Sequence, residues 1–291
     1  MKNMKKLWIV MLAMLVAYGC ADARKKQSET TQVRWGTFNI RLQNGGDDNE
    51  GWGWNVRKDR VADYVKDNKW DVFGMQEVLH EQLEDLLARL PEYDYVGVGR
   101  TDGKTKGEYT PIFFLRDKYE VLEKGNFWLS ETPEVAGSKG WDAAIERVAS
   151  YAKLSDKKTG KVFMAVNTHF DHIGVTARRE SAKLIMQKIQ DIVGDKPAVV
   201  TGDFNVTEQD EAYTTMVTSE FKMNDAFHLS PSHTGVTFSF HDFCRVAPED
   251  CDKIDYIFTT PGISVKQTHI EPPHPDAMLS DHNPHWADLE F

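Results

Sequence analysis

Four short apolar runs in this chain each stop at a polar residue of a narrow chemical kind. Val33–Phe38 runs into Asn39, Trp70–Met75 into Gln76-Glu77, Lys161–Val166 into Asn167-Thr168-His169, and Ala198–Thr201 into Gly202-Asp203-Phe204-Asn205. Runs of this length and β-branched content read as strands, and helical patterns lie between them. Strands of one sheet bring their ends to a common edge, so these carboxylates, amides and imidazoles are expected to meet there.

The helical patterns are equally plain. Helices are expected near Val56–Asp67 and over 80–90, where Leu83, Leu86, Leu87 and Leu90 form one stripe that Pro91 ends. The longest runs over 176–193, with Ala182, Ile185 and Ile189 on one face. Thr207 and Asp210 have the spacing of a capping pair for a following helix. Lys253–Thr259 reads as a strand carrying Asp255, and Ser280-Asp281-His282-Asn283-Pro284 leads into a last strand, His285–Phe291. No repeat, low-complexity tract or linker interrupts the chain after residue 32, so 33–291 is expected to be a single domain.

Met1–Gly19 has a secretory pattern: Lys2, Lys5 and Lys6 precede the apolar stretch Leu7–Val16, which is too short to span a bilayer. Small residues leading into Cys20 resemble the lipobox of bacterial lipoproteins, with Cys20 lipidated as the mature N-terminus. Residues 20–32 then form an anchor and polar tether. The expected location is the bacterial cell envelope, exported and held to the membrane through the lipid alone. Cys244 and Cys251, seven apart in an oxidising compartment, are expected to form a disulfide.

Charge narrows the partners. The chain carries 35 Lys+Arg against 45 Asp+Glu, a net charge of −10, and loss of Met1–Gly19 with its three lysines takes this to −13. That argues against a general polyanion binder.

The strand-end residues supply hard oxygen ligands and imidazoles. The chain shows no GxSxG, P-loop or HExxH pattern. Carboxylates with an Asn amide suit Mg2+ or Mn2+, and histidines beside them suit proton transfer or contact with an anionic oxygen. The combination points to metal-assisted hydrolysis of a phosphoester.

The ordered set Thr37-Phe38-Asn39-Ile40-Arg41, Gln76-Glu77, Thr168-His169-Phe170-Asp171, Gly202-Asp203-Phe204-Asn205, Ile254-Asp255-Tyr256-Ile257 and Ser280-Asp281-His282 resembles the endonuclease/exonuclease/phosphatase superfamily. Phe127-Trp128-Leu129-Ser130-Glu131-Thr132-Pro133 and Thr110-Pro111-Ile112-Phe113-Phe114 resemble its CCR4/nocturnin-like bacterial branch. Arg41 stands where the AP endonucleases of that superfamily carry a metal-binding Asp, which counts against that assignment.

The resemblance implies an α/β fold of the deoxyribonuclease I type, a four-layer α/β/β/α sandwich of two mostly antiparallel sheets packed face to face. It implies metal ligation by Glu77, Asn39 and Asp281. Asp203 and Asn205 would orient water and contact the phosphate. His282, paired with Asp255, would be a base or phosphate contact, and His169 would contact the phosphate or protonate the leaving group. The family pattern leaves open which of Asp203 and His282 takes the proton.

Around this set, Arg147 and Glu108 are weaker substrate-binding candidates. Arg57, His172 and Arg179 read as packing or surface residues, and Trp52 and Trp54 as a hydrophobic plug. His228, His233, His241, His274 and His285 read as surface residues. The expected function is a metal-dependent phosphodiesterase or phosphatase, acting as a monomer on a small molecule, a lipid headgroup or a nucleic acid fragment. The alternatives are a 3'-5' exonuclease on RNA or DNA and a catalytically inactive binding protein on the same fold.

Overall fold

The apolar runs form strands, and the strands form two sheets. A computed structural model of the chain describes residues 30–194 and 196–291; Met1–Gly19 and Cys20 lie outside them. In chain order the strands are β1 (Gln32–Asn39), β2 (Val72–Gln76), β3 (Tyr93–Val96), β4 (Ile112–Leu115), β5 (Tyr119–Trp128), β6 (Val148–Asp156) and β7 (Val162–His169). There follow β8 (Ala198–Asp203), β9 (Asn224–Asp225), β10 (His233–Gly235), β11 (Asp255–Thr259), β12 (Ser264–Ile270) and β13 (His285–Glu290). One sheet has the order β10-β12-β13-β1-β2-β4-β3 and the other β5-β6-β7-β8-β11-β9. Among the described residues, only β1–β2, β10–β12 and β7–β8 pair in parallel; the remaining pairs are antiparallel.

Three apolar clusters separate four layers. Between the sheets, Val33, Trp35, Val72 and Phe114 of the first pack on Leu154, Phe163, Ala165 and Val199 of the second. Outside the first sheet, helices Trp54–Asp67 and His80–Arg89 cover Phe73, Met75 and Phe113 with Val61, Val65, Leu83 and Leu86. Outside the second, helices Val175–Val193 and Glu211–Thr218 place Ala182, Ile185, Ile189 and Met216 over Met164, Val200 and Phe258. The expected α/β/β/α sandwich is therefore present.

One polar seam crosses the apolar interlayer. Asn167 of β7 donates through Nδ2 to the carbonyls of Met75 (2.7 Å) and Pro111 (3.0 Å), and its Oδ1 accepts from Gln76 (2.7 Å) and Thr201 (3.1 Å). Gly74 permits the approach: a Cβ there would stand 2.2 Å from Asn167 Oδ1. Every polar atom of the Asn167 amide is satisfied, which is what makes its burial tolerable.

Local expectations are corrected at two points. Asp210, not Thr207, is the N-cap of Glu211–Thr218; Asp210 Oδ2 accepts from the N–H and hydroxyl of Thr207, so the pair closes the preceding turn. Cys244 and Cys251 are free thiols and not a disulfide. Cys244 lies in a run of three left-handed residues, Asp242-Phe243-Cys244, and is exposed, while Cys251 turns its Sγ to the carbonyls of Val246 and Ala247.

Candidate active site

Strand register assembles the site. Asn39 pairs with Gln76 across β1–β2, which puts Glu77 beside Asn39. His169 pairs with Asp203 across β7–β8, and Asp203 with Asp255 across β8–β11. Asp281 and His282 arrive on the segment before β13, which flanks β1. Both sheets thus contribute to one end of the sandwich. Arg41, Glu77 and Asn205 follow the strand ends with φ of 59°, 62° and 49°. Non-glycine residues seldom occupy this region, and here each turns the chain sharply at the rim of the site.

Asp203 is the hub. Its Oδ2 accepts from Asn39 Nδ2 at 3.0 Å and lies 3.4 Å from His169 Nε2 and 3.7 Å from His282 Nε2. Its Oδ1 accepts from the Asn205 N–H at 2.9 Å. His282 Nδ1 meets Asp255 Oδ2 at 2.8 Å. Ser239 Oγ accepts from the N–H groups of Ile254 and Asp255 and so fixes the backbone that carries this carboxylate. Glu77 is held from two sides, by Asn39 Nδ2 and the Leu42 N–H, both at 3.0 Å. Ser280 ties the last segment down by donating to the Asn39 carbonyl at 2.7 Å. Arg41 bridges Asp47 (2.9 Å) and Asp281 (3.6 Å).

Arg41, Glu77, His169, Asp203, Asn205, Asp281 and His282 line a cavity of about 390 Å³ with Arg100, Glu108, Ile145, Arg147, His172 and Phe240. Arg100 and Glu108 form a two-point ion pair with both contacts at 2.7 Å. Arg147 is 4% exposed; it contacts His172 Nδ1 at 3.1 Å and Asp171 at 3.6 Å, and its Nε and Nη1 lack a hydrogen-bond partner. Buried guanidinium donors beside an open cavity are suited to an anion.

The electrostatics divide the groups by role. Burial and the neighbouring Asp255 push the Asp203 carboxyl up to about 7. Burial works against charge on His282, but Asp255, Asp203 and Asp281 outweigh it and raise the imidazole to about 10. Burial, reinforced by Arg147 and Arg100, holds His169 well below its ordinary value, so its ring is neutral. Burial also raises Asp281, with Glu77 adding to the effect.

The donor set fits a divalent cation. Asp203, Asp255 and His282 offer ligand atoms within 4.8 Å of one another and could hold a metal ion. Glu77 and Asp281 supply a second pair of carboxylates at the cavity wall. These add oxygen ligands, which suit a hard cation.

Residues 36–282 match the endonuclease/exonuclease/phosphatase family. The chain belongs to this family. Members of this family are phosphoester hydrolases. A protein of the endonuclease/exonuclease/phosphatase family from Bacteroides vulgatus has the same fold, with TM-score 0.88 and 57% identity over 90% of this chain and 99% of that one. A mannosyl-6-phosphatase of Bacteroides thetaiotaomicron aligns with TM-score 0.83 and 37% identity, over 89% of this chain and 100% of that one. Nocturnin of Drosophila melanogaster is 24% identical over 274 residues, covering 80% of this chain and 41% of that protein. The chain spans about half the length of the curated relatives it matches.

Within this family frame, the structure brings together Asn39, Glu77, Glu108, Arg147, His169, Asp203, Asn205, Asp255, Asp281 and His282. Sequence reasoning passed over Arg100, which holds Glu108, and Ser239, and gave no role to Ser280; the two serines position the loops. His172, read as packing or surface, lines the cavity. Arg57 is fully buried and donates to the carbonyls of Ile40, Leu279, Trp52 and Arg41 behind the site. His241 and His285, read as surface residues, are buried at 2% and 0% exposure. His241 accepts from the Cys244 N–H, and His285 sits on β13 where neighbouring strands cover both edges. Trp54 is a buried plug bonded to Asp85, whereas Trp52 stacks on Phe243 with ring centroids 6.1 Å apart.

Proposed function

We propose that this chain is a divalent-metal-dependent phosphoesterase that hydrolyses a small extracytoplasmic phosphomonoester by attack of water. One observation carries the reading: a buried carboxylate, Asp203, lies between two imidazoles at the base of a cavity walled by Glu77, Asp281 and three arginines. Glu77, Asn39 and Asp281 would hold Mg2+ or Mn2+, which supplies positive charge to a phosphate oxygen. Asp203, with its raised affinity for a proton, accepts the proton of the attacking water. Asn205 orients that water and the phosphate. His282, kept cationic by Asp255, faces a phosphate oxygen. His169 contacts the phosphate or passes a proton to the leaving group. Arg147 offers its unpartnered Nη1 to the anion.

The cavity is of ligand size. The Arg100–Glu108 pair on its wall suits hydroxyl groups, and the mannosyl-6-phosphatase resembles this chain over nearly its whole length. Both support a phosphorylated sugar or polyol. The same reading places the enzyme at the cell envelope, anchored through Cys20 and acting as a monomer.

The test is hydrolysis of hexose 6-phosphates, mono-aryl and bis-aryl phosphates and single-stranded RNA with Mg2+ or Mn2+. The expected result is phosphate release from a hexose phosphate that EDTA stops and Glu77→Ala abolishes. Preferential cleavage of RNA would replace this reading with the exonuclease one, and full activity in EDTA would overturn it. Membrane anchoring is tested by Cys20→Ser, which should release the protein from the membrane fraction.

A further inference from the structure

Two sets of side chains line the cavity, and they come from different parts of the fold. Arg41, Glu77 and Asp281 belong to the first sheet, since they follow β1 and β2 or precede β13. The second set surrounds His169 at the end of β7. Glu108 Oε2 lies 3.9 Å from His169 Nδ1, and Arg100 holds Glu108. Arg147 directly precedes β6, and His172 follows three residues after His169. The charges of this second set are matched within the chain: Arg100 stands 2.7 Å from Glu108 and Arg147 stands 3.6 Å from Asp171, while the buried His169 ring is neutral. The wall around His169 therefore presents hydrogen-bond donors and acceptors, with no surplus of positive charge for a second anionic group.

His172 is the member of this set whose ring is held on one side and open on the other. It is exposed and lines the cavity. Asp171 Oδ1 accepts from the N–H groups of Ile173 (3.0 Å) and Gly174 (2.7 Å), which pins the turn that carries it. Its Nδ1 lies 3.1 Å from Arg147 Nη2. A guanidinium only donates, so Nδ1 is the acceptor and the proton of the neutral ring sits on Nε2. Among the described residues Nε2 has no hydrogen-bond partner. The guanidinium that orients this ring is the one whose Nη1 is offered to the phosphate. One side chain thus sets the spacing between the phosphate and the Nε2–H of His172.

We propose that His172 is a specificity residue that donates from Nε2 to a hydroxyl of the leaving group, and that this leaving group is an uncharged, hydroxylated alcohol of the sugar or polyol class. The proposal deepens the phosphoesterase reading and rests on it. Hydroxyl groups both donate and accept, so they can be met by Nε2–H of His172 and by the Arg100–Glu108 pair together. A second phosphate would meet only arginines that already stand beside carboxylates. A site built to bond a hydroxyl also discriminates against an analogue that lacks one, because its polar groups are then left unpaired.

The experiment compares the full chain with its His172→Phe and His172→Gln variants. The glutamine amide offers an acceptor to Arg147 and a donor to the substrate, as the neutral ring does, and the phenylalanine offers neither. Steady-state kcat and KM are measured with Mg2+ on a hexose 6-phosphate, a hexose 1,6-bisphosphate and a mono-aryl phosphate whose leaving group has no further hydroxyl. Selectivity for the hexose 6-phosphate over the aryl phosphate, taken as the ratio of kcat/KM values, should fall by about tenfold in His172→Phe, chiefly through KM for the sugar. It should return to within about threefold of the wild type in His172→Gln. The wild type should use the monophosphate better than the bisphosphate. Unchanged selectivity in His172→Phe, equal loss in the two variants, or preference for the bisphosphate overturns the proposal. If no substrate turns over, titration calorimetry still decides it. Tighter binding of hexose 6-phosphate than of inorganic phosphate in the wild type and His172→Gln, lost in His172→Phe, supports the role of His172 and counts against the phosphoesterase reading alone. Equal binding of the two ligands in the wild type overturns the proposal.

Discussion

His282 meets Asp255 through Nδ1 at 2.8 Å, which fixes the ring so that Nε2 faces Asp203. Asp255 both orients the imidazole and keeps it charged. In Asp255→Asn the ring loses the negative charge of that partner. We expect kcat to fall by about 10²–10⁴-fold, the range for a displaced acid–base group. The alkaline limb of the pH–rate profile, set in the wild type by His282 near 10, should move toward neutrality. An unchanged alkaline limb would mean that His282 is not held as a cation.

Asp203→Asn should remove activity and yet stabilise the metal-free protein. The folded-state value near 7 lies above that of an unfolded carboxyl, about 3.9. The folded state therefore binds the proton more tightly, and stability is lost as pH rises through this window. Removing the carboxylate should raise unfolding free energy at alkaline pH by on the order of 1–3 kcal/mol, with the difference vanishing in acid. Urea unfolding in EDTA at several pH values measures it.

His285 should set part of the acid sensitivity. Burial pushes it down to about 3, and neither ring nitrogen has a hydrogen-bond partner. An unfolded histidine takes up a proton near 6.5, whereas the folded one resists until about 3. Stability is therefore full above pH 6.5 and lost as pH falls, by up to about 1.4 kcal/mol per pH unit. His285→Leu should flatten the dependence of Tm on pH between neutral and mildly acidic buffers.

Arg57→Ala should be among the most destabilising single changes near the site. The guanidinium binds four carbonyls that hold the loop after β1 and the segment before β13. Its loss leaves buried acceptors unsatisfied, on the order of 3 kcal/mol in urea unfolding. Arg57→Lys should not restore it, because an ammonium cannot reach the same spread of acceptors.

The strand-end motifs were legible because the information in them is local. A short apolar run followed by Asn39, Glu77, His169 or Asp203 declares both the strand and the edge where it stops. The partners of Arg57, Asn167, Ser239 and Ser280 were not legible, since each acts between elements distant in sequence. Nothing around Asn167 announces that Gly74, far earlier in the chain, leaves room for its amide. His241 and His285 failed for the same reason: a lone histidine carries no sign of what will cover it. The disulfide was inferred from compartment and spacing, and neither specifies where two sulfur atoms point.

Arg41 has a consequence for the order of assembly. It gives the acidic rim a cation of the chain's own, 2.9 Å from Asp47 and 3.6 Å from Asp281. Part of the repulsion among the rim carboxylates is thereby offset before any ion arrives. Small metal-nucleated domains must capture their metal in order to fold. Here the strand registers and the hydrogen bonds of Asn39, Ser280 and Arg57 hold the rim through the chain's own contacts. A charge-removing change at Arg41 would therefore be felt in the stability of the fold as well as at the site.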